Sequence, residues 1–327
     1  MGSRIGTLDE RLILTLDVGG TKIAGGILSV GTHKPPRLEC SVCTPTCAEE
    51  GGTAVLQRIV GFACELLGRE NREVCGIGVG AAGIISKGGS VASATELMPG
   101  WSGMPLAPAL RTTTGRPVAV MGDVHAHALG EAHWGAGKGH RSMLMVAVGT
   151  GIGGAMVIDG RVLHGEHNAG GHFGHVMHPA ATETRCSCGR YGHVEPIASG
   201  LGIEARYRRI SGTSLGGDRI AQLAREGDSV ARETIEFAGR ALGQALGMQA
   251  NVLDPEIIVL SGSVCGAGRL WLDALREGYR DQALGILADV PIELGVLGGK
   301  APLMGAAVPV LAQLDGTVAS ADDVLCA

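Results

Sequence analysis

The sequence predicts an α/β protein built as two related domains. Two observations carry that prediction. An apolar run, a glycine turn and a second apolar run occur at residues 12–28 and recur at 143–158. Segments of strand and helix character alternate through both halves. Composition agrees. Of 327 residues, 55 are Gly, while Phe, Tyr and Trp number three each. The glycine has no three-residue period and only 13 Pro accompany it, which excludes a collagen-like chain. Hydrophobic residues at 45% against 18% charged exclude a disordered one. What remains is a globular protein with aliphatic cores and many tight backbone turns.

The elements follow in order. Residues 12–18 and 23–28 read as strands joined by Gly19, Gly20 and Thr21. Residues 31–50 read as loop or edge strand. Val55, Leu56, Ile59, Val60, Ala63, Leu66 and Leu67 recur at helical spacing, predicting a helix over 53–69. A buried strand at 74–79 ends in the turn Gly80–Gly83, and a short strand at 118–121 leads to Asp123 and a helix to about residue 133. The run 143–148 ends in a second turn, Gly149–Gly154, before a strand at 155–158. Residues 164–199 are rich in His, Gly and Cys, with little periodicity. Helices are expected near 199–210, 218–226, 228–253 and 269–283, a strand at 256–260, and a terminal helix at 302–313. The expected domains are 11–121 with 301–318, and 122–300.

Charge and cysteine usage narrow the partners. A net charge of −5 leaves no basic footprint for nucleic acid. No apolar run reaches the length of a membrane span. Asp9, Glu10 and Arg11 interrupt the start before a signal-peptide core forms, so a cytoplasmic location is expected. Nine cysteines, an odd number, then read as thiols or metal ligands. Ten of the 11 histidines lie between His125 and His193.

The first turn is neither a Walker A loop nor G-x-G-x-x-G. Its chemistry still suits a nucleotide phosphate. Gly19 and Gly20 free the backbone N–H groups, Thr21 and Lys22 add polar donors, and Asp17 could hold a Mg²⁺-bound water. The alternative is a hairpin with an incidental acid. Thr150 and Gly151 in the second turn offer the same grip, and paired phosphate-gripping hairpins are the device of actin-like ATPases. His175, Cys186, Cys188 and His193 supply four ligands at C-x-C-x₄-H spacing with an upstream His, enough for a closed tetrahedral Zn²⁺. The alternative is two thiols in a loop. Cys40, Cys43 and Cys47 lack a fourth ligand and read as incidental. Asp123, at a helix start, reads equally as an N-cap.

The segments LDVGGTKIAGGIL, GVGAAGII, GDVHAHALGE, VGTGIGGAMVIDGRVLHG, AGGHFGHVMHP and CSCGRYGHVEPIASG occur in one order along nearly the whole chain. In this the chain resembles the ROK family of sugar kinases and related repressors. The resemblance implies an actin-like ATPase (ribonuclease H-like) fold, with a cleft between two α/β domains closing over ATP and a sugar, and a homodimer. About 11 residues precede the first strand. The repressors carry a helix-turn-helix there, so the kinase reading is favoured.

By the same resemblance Asp123 is the catalytic base. Gly19, Gly20, Thr21, Lys22, Thr150, Gly151 and Gly262 bind ATP, with Mg²⁺ near Asp17. Glu195, His175, His172, Gly83 and Gly122 meet the sugar. The family's zinc motif has a third cysteine where this chain has His193, so the expected site is Cys2His2 with a structural role. The family's glucose kinases have Asn before the base, here Gly122, and E-x-G-H where this chain has His172-Phe-Gly-His175. Its N-acetylmannosamine kinases have A-G-H-x-G-H, which this chain resembles. The expected reaction is therefore ATP-dependent phosphorylation of the C6 hydroxyl of N-acetylmannosamine. The alternatives are glucose or a glucose-like cyclitol and, outside catalysis, a sugar sensor. His172 could instead pack or cap a turn. His125 and His127 sit two apart on the helix after Asp123 and share no face; they, His164, His167 and His178 read mostly as solvated or hydrogen-bonded residues, with Glu166 and Asn168 as peripheral contacts.

Overall fold

The computed structural model describes residues 10–31, 34–94 and 98–316, which form two compact units. Residues 317–318 of the expected first domain lie outside the described residues.

The first unit holds the described residues of 1–138, 161–169 and 299–327. Strands β1 (Glu10–Val18), β2 (Lys22–Gly31) and β3 (Arg37–Pro45) run antiparallel, β3 being the edge strand allowed for residues 31–50. Helix α1 (Gly52–Arg69) buries Val55, Ile59, Phe62, Ala63 and Leu66, the stripe its spacing predicts. β4 (Val74–Ala81) returns parallel to β1. The small pair β5 (Ile84–Ile85) and β6 (Val91–Ser93) precedes α2 (Leu106–Thr114). β7 (Val118–Gly122) lies parallel to β4 and delivers the chain to α3 (Asp123–Trp134).

In the second unit β8 (Ser142–Val148) pairs antiparallel with β9 (Ile152–Ile158). β10 (Arg161–Val162) opens the segment 161–169 that belongs to the first unit. A long loop leads to α4 (Glu195–Ala198), α5 (Gly200–Ser211), α6 (Gly217–Glu226) and α7 (Ser229–Leu253). Ser199 and Asp228 cap α5 and α7 by accepting from the backbone N–H groups of Gly202 and Ala231. β11 (Ile257–Ser261) lies parallel to β8, then α8 (Arg269–Gln282) leads to β12 (Ile292–Leu294), parallel to β11. The predicted repeat is therefore topological. Each unit has an antiparallel pair whose first strand takes a parallel neighbour on its other side.

The expected terminal helix is two helices, α9 (Ala301–Ala306) and α10 (Val308–Leu314). Pro309 explains the break. It lacks the N–H a continuous helix needs, and it sits in the first turn of α10, where that N–H has no partner to lose.

Much of the glycine excess packs elements, a use the sequence reading did not assign. β4 reads Val-Cys-Gly-Ile-Gly-Val-Gly-Ala, with glycine on one face at 76, 78 and 80. A Cβ at Gly78 would lie 2.0 Å from the Ala306 carbonyl oxygen, and one at Gly76 would lie 2.5 Å from Val310. Helices α9 and α10 thus rest directly on the sheet. On α7, a Cβ at Gly243 would sit 1.9 Å from the Leu275 carbonyl oxygen of α8. Two of the three tryptophans, Trp101 and Trp271, are fully buried in the separate cores of the two units.

Gly78→Ala is expected to destabilise the protein by about 1–3 kcal/mol or more, because backbone must move to admit the methyl. Gly88→Ala, with no atom within 4 Å of the new methyl, should change stability by less than about 0.5 kcal/mol. Urea unfolding of both checks this. Equal effects would contradict the packing account.

Candidate active site

In the first unit the carboxyl ends of parallel β1, β4 and β7 converge, where open α/β sheets place their ligands. Asp17 pairs in register with Gly80, and Ala81 with Gly122, so Asp17, Gly80 and Asp123 share that edge. A Cβ at Gly80 would lie 3.5 Å from the Asp123 Cα and 3.8 Å from the Asp17 Oδ1. The expected turn follows Asp17. Gly19 N–H donates to the Lys22 carbonyl at 3.0 Å, and Gly20, Thr21 and Lys22 are exposed. Thr46 braces the turn from behind. Its hydroxyl donates to the Gly19 carbonyl at 2.7 Å and its N–H to the Thr21 carbonyl at 3.0 Å. Nothing in the local sequence marks Thr46 for this task.

Asp123 is the first residue of α3. The N-cap is Gly122, which corrects the capping alternative, although Asp123 Oδ1 does accept from the Val124 N–H at 2.9 Å. The Asp17 carboxyl is pushed up to about 6, first by burial and then by the negative charge of Asp123, with Lys22 partly offsetting them. Asp17 and Asp123 offer carboxylate oxygens of the kind a Mg²⁺ takes. Gly83, with φ of +108°, follows in the loop after β4. Trp101 holds this loop by donating from Nε1 to the Ala82 carbonyl at 3.0 Å. Gly122 is half-buried, and a Cβ there would make only ordinary contacts, at 3.5 Å to the Gly83 carbonyl oxygen and 3.7 Å to His125 Nδ1.

In the second unit Thr150 is exposed at the tip of the β8–β9 turn, and Gly149 N–H donates to the Gly151 carbonyl at 2.9 Å. A cavity opens beside this turn, lined by Gly149, Thr150, Leu201, Glu204, Ser263 and Val264 among others. Gly262 has φ of +97°, and a Cβ there would lie 2.3 Å from the Val148 carbonyl oxygen. Glycine is therefore required at 262 by conformation and close packing, and the next two residues face the cavity.

Glu195 ties this turn to the histidine- and cysteine-rich loop. Its Oε2 accepts from the Ile152 N–H at 3.0 Å, and its Oε1 accepts from the Ser187 hydroxyl at 2.7 Å. A Cβ at Gly151 would approach Oε2 to 2.7 Å, so glycine makes room for the carboxylate. Ser187, between the two cysteines, is a residue the sequence reading missed.

His175, Cys186, Cys188 and His193 come together, with ligand atoms all within 4.8 Å of one another. The loop builds this locally. Cys186 N–H donates to the Arg190 carbonyl at 2.7 Å, Gly189 turns the chain at φ of +87°, and Met177 bridges His193. The two Nδ1 atoms are 3.3 Å apart, Cys186 Sγ is 3.5 Å from His175 Nδ1, and Cys188 Sγ is 3.3 Å from His193 Nδ1. Zinc bonds of about 2.0–2.1 Å to nitrogen and about 2.3 Å to sulfur imply tetrahedral edges of roughly 3.3 Å and 3.5 Å. The four side chains could therefore hold such an ion. His172 is exposed, its ring stacked on His175 with centroids 5.9 Å apart. Cys40 and Cys43 lie exposed on β3. Among the described residues the ligand group near them is Cys47 with Glu49 and Glu50, so the three cysteines form no cluster.

Residues 13–313 match the ROK family. The chain belongs to the ROK family. It is 32% identical over 324 residues to a glucokinase of Streptomyces coelicolor, covering 90% of this chain and 96% of that protein. It is 30% identical over 282 residues to an N-acetylmannosamine kinase of Salmonella heidelberg, covering 85% and 89%. Its fold superposes on a ROK hexokinase structure from Thermus thermophilus with a TM-score of 0.82 at 32% identity, covering 93% and 99%. The actin-like fold expected of a ROK protein is thereby shown.

The remaining ROK-chain histidines need one correction. His164 is buried, not solvated, whereas His178, also buried, is hydrogen-bonded as that reading allows. Both lie on loops that pack inward. His178 meets Gln244 and accepts from the Ala180 N–H, while His164 lies edge-on to His125.

The raised Asp17 pKa gives a signed prediction. Between about pH 4 and 6 the folded state holds a proton that the unfolded state has released, so Asp17 costs stability as pH rises through that window. Asp17→Asn should then stabilise the protein at pH 7–8 by about 3 kcal/mol, with the gain vanishing by about pH 4. Thermal unfolding across pH checks this. A gain independent of pH would contradict the assigned burial.

Proposed function

We propose that this chain, an ATP-dependent sugar kinase of the ROK family, phosphorylates the C6 primary hydroxyl of N-acetylmannosamine. The observation that carries the choice of sugar is His172, an exposed imidazole stacked on His175. A carboxylate there would only accept hydrogen bonds from sugar hydroxyls. An imidazole can also donate to an acetamido carbonyl.

Asp123 is the base in this reading. Its carboxylate accepts the hydroxyl proton as the oxygen attacks the γ-phosphorus in line. Glu195, His175 and His172 orient the sugar, with the Gly83 loop contributing backbone. Gly19, Gly20, Thr21 and Lys22 donate to phosphate oxygens in the first unit, and Thr150 and Gly151 do so in the second. Asp17 would hold the Mg²⁺ that accompanies ATP, and the bound ion would supply neutralisation of phosphate charge. The base and ribose occupy the cavity beside Ser263 and Val264.

Zn²⁺ held by His175, Cys186, Cys188 and His193 has a structural task. It fixes a loop that carries Ser187 and reaches Glu195. Four protein ligands leave no open position for chemistry.

ADP release measured side by side with N-acetylmannosamine, glucose, mannose, N-acetylglucosamine and a cyclitol tests the substrate. Highest kcat/KM with N-acetylmannosamine is expected, and activity on glucose alone overturns it. Asp123→Asn should fold normally and lose about 10²–10⁴-fold in kcat. Wild-type kcat in that variant would remove Asp123 from its role. Protein purified without added zinc should carry about one zinc per chain, lost in Cys188→Ser. Clearly substoichiometric metal in the wild type would rule the zinc reading out.

A further inference from the structure

The residue just before the proposed base is a glycine, so α3 presents no side chain there. A sugar hydroxyl taken from water at that point needs a polar partner, and leaving it unpaired costs affinity. The nearest side chain to the empty position is His125. Its Nδ1 and Cγ lie 3.7 Å and 3.8 Å from where a Gly122 Cβ would be. Among the described residues, chain neighbours aside, the other atom that close is the Gly83 carbonyl oxygen at 3.5 Å. The imidazole thus borders the space between Asp123 and the Gly83 loop.

That ring is held by an unusual neighbour. His164 meets it edge to face, with centroids 4.8 Å apart and an interplanar angle of 81°. Both rings are buried, at 8% and 4% exposure. His164 comes from the segment 161–169, which Asn168 fastens beside Gly83 by donating from Nδ2 to the Ile85 carbonyl at 2.9 Å. Gly83, Ile85, Asn168, His164, His125 and Gly122 therefore form a continuous surround within the first unit. Burial holds the His164 pKa down at about 3, and the nearby His125 adds to this, so His164 stays neutral and packs as a flat polar ring.

We propose that His125 is the sugar-contacting specificity residue beside the base, bordering the place a side chain at 122 would take, with His164 as the residue that positions its ring. The inference rests on the sugar-kinase reading of Asp123. It adds that the pair Gly122 and His125 selects the sugar. An amide built on Gly122 would meet the imidazole, so the two positions must change together.

The test compares wild type with His125→Ala, His125→Gln, His164→Phe, Gly122→Asn and the double variant Gly122→Asn/His125→Asn. Calorimetric sugar binding, KM for sugar and for ATP, and melting temperature are measured for each. His125→Ala should weaken sugar binding and raise sugar KM at least roughly tenfold, with ATP KM within about twofold. His125→Gln should recover part of the loss. His164→Phe should raise sugar KM less than His125→Ala. Gly122→Asn alone should lose sugar affinity, and the double variant should regain it with an altered preference among the panel sugars. Sugar Kd and KM within about twofold of wild type in folded His125→Ala and His125→Gln would overturn the proposal. Additive effects of the 122 and 125 changes would also overturn it. If the wild type binds sugar but releases no ADP, the kinase reading fails, while the binding data still decide the role of His125. If it binds no sugar, both fail.

Discussion

The structure turns on two carboxylates placed at the open ends of parallel strands. Asp17 closes β1 and Asp123 follows β7, with β4 between them. Burial first, and then the charge of Asp123, hold the Asp17 pKa at about 6. Everything around it serves to keep the pair in place. The glycine face of β4 admits α9 and α10 and lets Gly80 pass between the two acids. The Gly19–Lys22 turn, braced by Thr46, puts backbone donors beside Asp17.

The second unit repeats the device with different chemistry. Its turn at Gly149–Gly151 is fixed by Glu195, a single carboxylate that also takes the hydroxyl of Ser187 from the histidine–cysteine loop. Glu195 was expected to meet the sugar. Its observed bonds give it a second task, linking the loop that would hold zinc to the turn that would hold phosphate.

The fold was legible where pattern is local. The apolar runs of β1, β4 and β8, the helical stripe of α1 and the repeated strand–turn–strand units all carry their own periodicity. The clustering of His175, Cys186, Cys188 and His193 was legible because close spacing and backbone turns bring them together. Other features depend on partners far along the chain. Thr46 braces a turn more than twenty residues earlier, and the buried edge contact of His164 with His125 spans two segments. No local composition announces either. Glycine misled for a different reason. In sequence it signals turns, yet Gly76, Gly78 and Gly243 are there because a carbonyl or side chain from another element lies where a Cβ would go. Pro309, within an otherwise helical pattern, divided a helix that apolar spacing alone would have continued.

The most direct test of the whole reading is the identity of the product. Phosphorus and proton nuclear magnetic resonance on a mixture of the protein, ATP, Mg²⁺ and N-acetylmannosamine would show which oxygen carries the new phosphate. The account predicts a 6-phosphate formed in step with ADP. Release of inorganic phosphate with the sugar unchanged, or a phosphate at any other oxygen, would contradict it.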